Sequence, residues 1–291
     1  MTEISNADKP PEIDLATLRV DIDRIDAEMH RLLMERGEII DRLIQVKARQ
    51  GGGSAFRPGR EADMMRRLVQ RHKGLLPLDT VEGIWRIIIS TFTYVQAHYR
   101  VHVDASAGDA PMRDTTRFHF GFTVPYIPQA TAENVVNAVS ISNGDLGIVP
   151  IEMALGSSPW WQKLHGKDAP KIIARLPFVD RLDHPAGMPV FILAQPLAEA
   201  AARDVIVYSV AVDRWRRSVA TKLEKLGGEV LCNVGTDNGL SLLMTAPGEA
   251  DIDSITAAFI EARMNSVRIH EIGSHAARHQ VRTEKPAGLS A

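Results

Sequence analysis

One long amphipathic stretch, from Ile13 to Gln50, constrains this chain more than any other part of its sequence. Its apolar residues recur at steps of mostly three and four, the spacing that puts side chains along one face of an α-helix. This stripe consists of Leu15, Leu18, Ile22, Ile25, Met29, Leu32, Ile39, Leu43 and Val46. No proline interrupts the stretch, and Gly37 is its only glycine. The pattern predicts one helix of about 55 Å that must bury a face against other helices.

Arg36 is the charged residue on this stripe, at a position where the spacing calls for an apolar side chain. A charge in an apolar seam is costly unless it is paired, so Arg36 requires an anion. Lys47 follows 11 residues later, and about 1100° of helical rotation puts both side chains within about 20° on one face. Their Cα atoms would lie about 16 Å apart, so both could hold one small anion. The alternative is a coiled-coil seam with basic residues on its surface.

Arg19 precedes Arg36 by 17 residues, which places it about 100° around the helix and about 25 Å along it. Within one chain Arg19 cannot easily reach the same anion. The helix is also longer than a compact domain of about 100 residues can cover. A homodimer resolves both points, because a partner helix would cover the excess stripe and bring its own Arg19 to the site.

Composition excludes several classes of protein. The 291 residues suggest two or three domains, and a net charge of −2 does not favour nonspecific nucleic-acid binding. The single cysteine, Cys232, excludes an internal disulfide framework and fits a reducing compartment. Residues 1–12 lack the apolar core of a signal peptide, and no apolar run of 18 residues indicates a membrane span. We therefore expect a cytoplasmic protein without membrane or nucleic-acid partners.

Two shorter helices are expected after the glycine run 51–53. Pro58 suits the first turn of the second helix, and Asp79 or Thr80 can cap the third, which ends near Gln96. The apolar face of the third helix is expected at Ile84, Ile88, Thr91, Phe92 and Val95. The expected division of the chain is a helical unit 13–100, a linker 101–115, an α/β lobe 116–200, a further unit 204–276 and a tail 277–291.

The second half of the sequence mixes strand and helix patterns. Strands are expected at 117–123, 146–150, 171–176 and 188–194, with a helix at 132–140. The unit 204–276 has the element order β-α-β-β-α-β, which indicates a split βαβ sandwich. The scattered His119, His165 and His184 are interpreted as ordinary surface or hydrogen-bonded histidines. The pair Trp160–Trp161 could line a pocket or form a contact between domains, and the contact is the preferred interpretation.

The helical unit resembles the all-helical (type II) chorismate mutases. The residues that carry the resemblance are Leu18-Arg19 with Asp23 and Asp26, Glu35-Arg36, Lys47, Pro58-Gly-Arg60-Glu61-Ala and Gln96. The resemblance implies a three-helix, intertwined dimeric domain that rearranges chorismate to prephenate. That reaction needs no metal, nucleophile or cofactor, so the enzyme must restrain a small dianion and stabilise its developing charge. Arginine and lysine suit this task.

The resemblance also implies a role for each site residue. Arg36 would bind one carboxylate, the partner's Arg19 the other, and Lys47 a carboxylate and the ether oxygen. Gln96 would donate to the ether oxygen, Glu61 would bind the ring hydroxyl, and Arg60 would orient Glu61 or bind a carboxylate. Two positions depart from the family pattern, Arg57 in place of an aspartate and Phe92 in place of a small hydroxyl residue. These departures predict weaker substrate affinity.

The second half is similar to the bifunctional enzymes in which a mutase precedes a prephenate dehydratase and an ACT-type regulatory domain. The segment 144–152 looks like a dehydratase Val-Pro-Ile-Glu segment, but the Thr-Arg-Phe run expected after it is missing. The same letters at 116–118 precede that segment and are interpreted as coincidence. With only half of a two-lobed dehydratase present, we expect the dehydratase activity to be lost.

The ACT-like unit implies an aromatic amino acid effector or, because the usual ligand-binding signatures are not visible, a role in dimerisation alone. Two other functions remain open from the sequence. One is a full bifunctional mutase and dehydratase that makes phenylpyruvate. The other is a non-catalytic dimeric regulator that senses an amino acid.

Overall fold

The computed structural model describes residues 14–49, 56–152, 158–196, 202–264 and 266–281. The chain divides into two compact units, Met1–Gly53 and Ser54–Ala291. None of the helices in the described ranges is long and apolar enough to cross a membrane. The expected tail 1–12, the glycine run 51–53 and most of the C-terminal tail lie outside the described residues.

The described part of the first unit, residues 14–49, is one helix, α1 (Leu15–Arg49), which confirms the predicted long helix. Its apolar stripe is exposed along the whole length, and Met29 keeps 51% of its surface accessible. That this stripe is covered by other helices stays a prediction.

The second unit contains six further helices and eleven strands within the described ranges. The helices are α2 (Pro58–Arg71), α3 (Leu78–Gln96), α4 (Asp109–Phe120), α5 (Ala132–Ser140), α6 (Arg217–Lys225) and α7 (Ile252–Glu261), with a 3₁₀ helix at Trp160–Leu164. The strands are β1 (Val101–Asp104), β2 (Tyr126–Gln129), β3 (Leu146–Pro150), β4 (Lys171–Leu176), β5 (Val179–Asp180), β6 (Val190–Ala194), β7 (Val205–Val212), β8 (Glu229–Thr236), β9 (Gly239–Pro247), β10 (Arg268–His275) and β11 (His279–Gln280).

Nine of these strands form one continuous sheet in the order β2-β1-β3-β6-β4-β10-β7-β9-β8. The β1 strand pairs in parallel with β2 and β3, whereas β6 pairs antiparallel with β3 and β4. Strands β7 to β10 form an antiparallel subset, and β10 joins β4 in parallel at one residue pair. The expected lobe 116–200 and the expected unit 204–276 therefore share a sheet.

The order β-α-β-β-α-β over β7 to β10 is confirmed, as are α5 and the strands at β3, β4 and β6. Trp160 and Trp161 are buried with Val207, Leu243 and Ile272 of the C-terminal strands. Trp161 also donates a hydrogen bond from Nε1 to Ser241 Oγ at 2.9 Å. The interpretation of the tryptophan pair as a contact between these two parts is confirmed.

The residues expected to form a linker, 101–115, contain β1 and the beginning of α4, so this expectation is wrong. Val101 and Val103 are fully buried in β1, which lies between the edge strand β2 and β3. The strand expected at 117–123 is also wrong, because most of it lies in α4. The alternating phenylalanines mimic a strand, whereas the buried residues of α4 follow helical spacing: Met112, Thr115, Thr116, His119 and Phe120.

Helices α2 and α3 bury Met65, Leu68 and Ile89 in the same core as Val101 and Ile148 of the sheet. The apolar face expected for α3 is rotated away from the observed one, since Ile84 and Val95 are exposed. The buried face of α3 is Val81, Glu82, Arg86, Ile89, Ser90 and Thr93. Whether α1, α2 and α3 form one domain in a dimer stays a prediction.

Candidate active site

The three basic residues that the sequence predicts for the site, Arg19, Arg36 and Lys47, lie on one uninterrupted helix. Arg36 and Lys47 are half-buried, whereas Arg19 is exposed. The continuity of α1 keeps the expected rotation of about 20° between Arg36 and Lys47. Among the basic residues of α1 whose side chains are described, these two are the least exposed.

Glu61 and Arg60 lie in the first turns of α2. Arg60 is exposed, but Glu61 keeps only 5% of its surface accessible. The Glu61 carboxylate accepts a hydrogen bond from Arg86 Nη1 at 2.7 Å. Arg86, on α3, is completely buried. Burial raises the pKa of Glu61, and the Arg86 guanidinium and the backbone amide of Arg57 oppose that shift.

Arg86 was missed by the sequence reasoning, although a signal for it exists. Glu82, Arg86, Ser90 and Thr93 recur at helical steps and form a polar stripe on α3. A polar stripe is usually the solvated face of a helix, yet here it faces inward. It is buried because partners from α2, α4 and the loop after β5 meet it.

Further polar groups surround this ion pair. Arg86 Nη2 donates to the backbone oxygen of His119 at 3.1 Å, and the guanidinium lies 5.2 Å from the Phe178 ring centroid. The His184 ring contacts Glu82 Oε2 through Nε2 at 3.2 Å and stacks on His119 with centroids 6.1 Å apart. We call Glu61, Glu82, Arg86, His119 and His184 the buried polar cluster.

The two histidines of this cluster differ in the hydrogen bonds of their ring nitrogens. His184 Nδ1 accepts from the Ala186 amide at 3.0 Å, so Nε2 carries the proton and donates to Glu82. This confirms the interpretation of His184 as hydrogen-bonded. That interpretation is wrong for His119, which is buried without a partner for either ring nitrogen among the described residues. Burial lowers the pKa of His119 well below its ordinary value.

Gln96 ends α3 and is half-buried, as is Phe92 one turn before it. The Gln96 side-chain amide donates to the Phe92 carbonyl at 3.0 Å. Arg57, immediately before α2, is half-buried too. The side chains of Gln96 and Arg57 carry donors suited to a carboxylate or ether oxygen. Within the described ranges, no group of three or more His, Cys, Asp or Glu residues is arranged to hold a metal ion.

The Thr-Arg-Phe letters at 116–118 lie inside α4, with their polar groups committed to the backbone. The Thr116 hydroxyl donates to the Met112 carbonyl at 2.7 Å. Arg117 Nη1 donates to the carbonyls of Gly121 and Val124, both at 3.0 Å. These bonds hold the end of α4 and the turn that follows it.

Comparison with solved structures gives weak likenesses. A prephenate dehydratase from Streptococcus mutans aligns with 63% of this chain and 100% of its own at 9% identity and a TM-score of 0.40. A structure described as a novel type of quorum quenching acylase aligns with 61% of this chain and 94% of its own at 12% identity and a TM-score of 0.40. Neither likeness carries an argument about function.

Sequence comparison is more specific. The bifunctional chorismate mutase/prephenate dehydratase of Aquifex aeolicus is 29% identical over 143 residues, which are 48% of this chain and 39% of that protein. The enzyme of the same description from Pseudomonas aeruginosa is 29% identical over 142 residues, 47% of this chain and 39% of its own. The chain thus spans well under half the length of these relatives. Residues 18–97 match the family described as chorismate mutase type II, which confirms the resemblance inferred from the sequence.

Proposed function

We propose that this protein is a chorismate mutase that rearranges chorismate to prephenate by restraining its conformation and stabilising developing negative charge. The observation that carries the proposal is the family match over 18–97, which includes α1 with its half-buried Arg36 and Lys47 on one face. Two cations held by one rigid helix suit a small dicarboxylate.

In this proposal Arg36 binds one carboxylate of chorismate. Lys47 binds a carboxylate and the ether oxygen, whose bond to carbon breaks in the reaction. Gln96 donates to the same ether oxygen, and its amide remains a donor at any ordinary pH. Arg60 and Glu61 bind or orient the polar substituents of the ring. Electrostatic stabilisation of the breaking C–O bond supplies the rate enhancement.

The proposed active form is a homodimer, with Arg19 supplied by the partner chain. The exposed stripe of α1 supports this, since Leu18, Met29 and Val46 each keep close to half of their surface accessible. Covering such a stripe stabilises an assembly by about 25 cal/mol per Å² of apolar surface removed from water. We place the enzyme in the cytoplasm, as its single cysteine suggests.

We further propose that the second half no longer dehydrates prephenate. Thr116 and Arg117 are hydrogen-bonded to backbone carbonyls, which supports the interpretation of that Thr-Arg-Phe run as coincidence. The alternative, a working bifunctional enzyme, has one observation in its favour. The match to the Aquifex aeolicus enzyme covers 143 residues and must therefore extend beyond residue 97 into the second half.

The direct test is to incubate the purified chain with chorismate and follow both its loss and the products. Accumulation of prephenate is the expected result. Phenylpyruvate formed without acid treatment would instead establish the bifunctional enzyme. Unchanged chorismate would refute the mutase and leave a regulator that senses an amino acid.

Variants of α1 test the site. Arg36→Ala and Lys47→Ala should each abolish turnover while the helical circular dichroism is retained. Arg31→Ala is the matched control, because Arg31 is exposed on the same helix and pairs with Glu28 and Glu35. Full activity in the Arg36 or Lys47 variant would contradict the assignment of that residue to the site. If light scattering shows that the active form is a monomer, the proposal that a partner chain supplies Arg19 is refuted.

A further inference from the structure

The polar stripe of α3 is buried partly by residues that lie outside the segment 18–97 matched by the mutase family. One short stretch, Phe178–His184, contacts α3 at three successive positions of one helix face, Asp79, Glu82 and Arg86. We call this stretch the docking segment. It contains β5 and the beginning of the loop that follows. Because these contacts recur at steps of three and four, the docking segment holds about two turns of α3.

Two polar contacts hold the beginning of α3. Arg181 forms an ion pair with Asp79 in the first turn of the helix. The His184 ring donates from Nε2 to Glu82 Oε2 at 3.2 Å, and both side chains are almost completely buried. A buried carboxyl group is costly without a hydrogen-bond partner, so Glu82 keeps this face of α3 turned towards His184.

The third contact reaches the carboxylate that is proposed to bind substrate. The Arg86 guanidinium lies 5.2 Å from the centroid of the Phe178 ring, whose π face attracts a cation. It donates from Nη1 to Glu61 at 2.7 Å and from Nη2 to the His119 carbonyl at 3.1 Å. Arg86 Nε has no hydrogen-bond partner among the described residues, so these two bonds and the ring orient the guanidinium. Phe178 thus acts on Glu61 through Arg86.

The docking segment is itself held by the residues that follow β10. Its strand β5 pairs in parallel with β11. The His279 amide donates to the Phe178 carbonyl at 2.8 Å, and the Val281 amide donates to the Asp180 carbonyl at 3.0 Å. Arg278 Nη2 lies 2.9 Å from Asp180 Oδ2. A segment with paired backbone and buried side chains is a rigid support, which a preorganised site requires.

We propose that Phe178 and His184 are positioning residues of the mutase site, which hold α3 and, through Arg86, orient the Glu61 carboxylate towards the ring hydroxyl of chorismate. The inference rests on the proposed mutase function and on the role of Glu61 in it. Neither residue contacts the substrate, and both lie outside the matched segment 18–97. The α/β part of the chain then contributes to the mutase reaction without any dehydratase chemistry.

A contact that only stabilises the fold and a contact that positions Glu61 have different kinetic effects. Lower stability reduces the amount of folded enzyme, and therefore the apparent kcat, but it leaves KM unchanged. A displaced Glu61 carboxylate binds the substrate more weakly and raises KM. Measurements of KM well below the unfolding temperature therefore separate the two roles.

The test is steady-state kinetics of the full chain with chorismate. Phe178→Leu keeps an apolar side chain but removes the ring, and KM should increase by about threefold or more. In the Glu61→Gln background the same substitution should change KM much less, because the carboxylate that the ring orients is absent. Phe122→Leu is the matched control, since Phe122 is exposed and lies 4.8 Å from the Arg117 guanidinium in the same kind of contact. Its KM should be unchanged.

Substitutions of His184 give a second test if Phe178→Leu fails to fold. His184→Leu removes the donor to Glu82 and should raise KM. His184→Gln keeps an N–H donor of similar reach, so its KM should stay closer to that of the unmodified chain. Equal KM values for the unmodified chain and a folded His184→Leu would contradict the positioning role.

The outcomes separate this inference from the proposed function. An unchanged KM in a folded Phe178→Leu would overturn the inference, and so would an equal increase in KM with and without the Glu61 carboxylate. If the unmodified chain converts chorismate but Glu61→Gln leaves KM unchanged, the inference fails while the mutase stands. If the unmodified chain does not convert chorismate, the proposed function fails and the inference fails with it.

Discussion

Removing Arg86 should destabilise the second unit strongly, because Glu61 would then keep a buried charge without its guanidinium. Arg86 is completely buried, and the two side chains lie 2.7 Å apart. Breaking a buried pair by removing one partner costs about 3–5 kcal/mol. Arg86→Met also loses the 3.1 Å bond to the His119 carbonyl, while the methionine fills most of the space of the arginine stem. We expect a loss of about 4 kcal/mol, a large part of a typical total stability.

Urea unfolding followed by circular dichroism measures this loss. Arg66→Met is the matched control, because Arg66 pairs with Asp63 on the exposed side of α2 and should cost at most about 1 kcal/mol. The double variant Arg86→Met with Glu61→Leu removes both charges and should recover most of the loss. If Arg86→Met costs no more than the Arg66 control, the reasoning about the buried pair is refuted.

The pH dependence of the stability lost in Arg86→Met gives an independent test of the same reasoning. Burial already raises the pKa of Glu61 above its unfolded value, and removal of Arg86 raises it further. The folded state then binds more protons than the unfolded state between those two pKa values, so stability increases as the pH falls. The loss in Arg86→Met should therefore be smaller near pH 5 than near pH 7.5. An equal loss at both pH values would mean that Glu61 stays protonated or remains solvated.

Three further predictions follow from single residues. Gly147→Ala should destabilise the fold by about 1–3 kcal/mol, because the added Cβ would lie 2.7 Å from Val135 Cγ1. Gly235→Ala is the control, since its Cβ would meet nothing within 4 Å, and equal unfolding midpoints for the two variants would contradict the prediction. Burial lowers the pKa of His275 to about 4, so the free energy of unfolding should decrease by up to about 3 kcal/mol as the pH drops from 6.5 towards 4. In urea titrations over this pH range, the His275→Gln variant should show a smaller decrease. Burial raises the pKa of Cys232 to about 11, so iodoacetamide should modify it far more slowly in the native protein than in urea; equal rates would show an exposed thiolate.

The sequence predicts best where a single local pattern decides the structure. Over the 35 residues of α1 the apolar residues recur at steps of three and four, without the alternation that would indicate a strand. The helix is found as predicted. The order of strands and helices from Val205 to His275 is also local, because glycines mark the turns that follow α6, β8 and β9. Both results depend on near neighbours in the chain.

The failures come from contacts between distant residues. Glu61 and Arg86 meet across 25 positions, and Ile172 meets Gly273 across about 100. Local patterns do not mark such partners, so the apolar face expected for α3 differs from the observed one, and the two halves of the sheet were expected as separate units. The strand β1 was hidden by the small polar residues after Asp104, which are typical of linkers but here form a turn into α4.

Glu61 has two roles in this account. Its carboxylate is proposed to bind substrate, and it also forms the buried ion pair with Arg86. A carboxylate offers about four acceptor positions, and Arg86 and the Arg57 amide account for two of them, so both roles are compatible. Glu61→Gln should then raise KM for chorismate as well as lower the urea midpoint. Kinetics well below the unfolding temperature separate these effects: a lower midpoint with an unchanged KM would make Glu61 a structural residue and remove it from the proposed site.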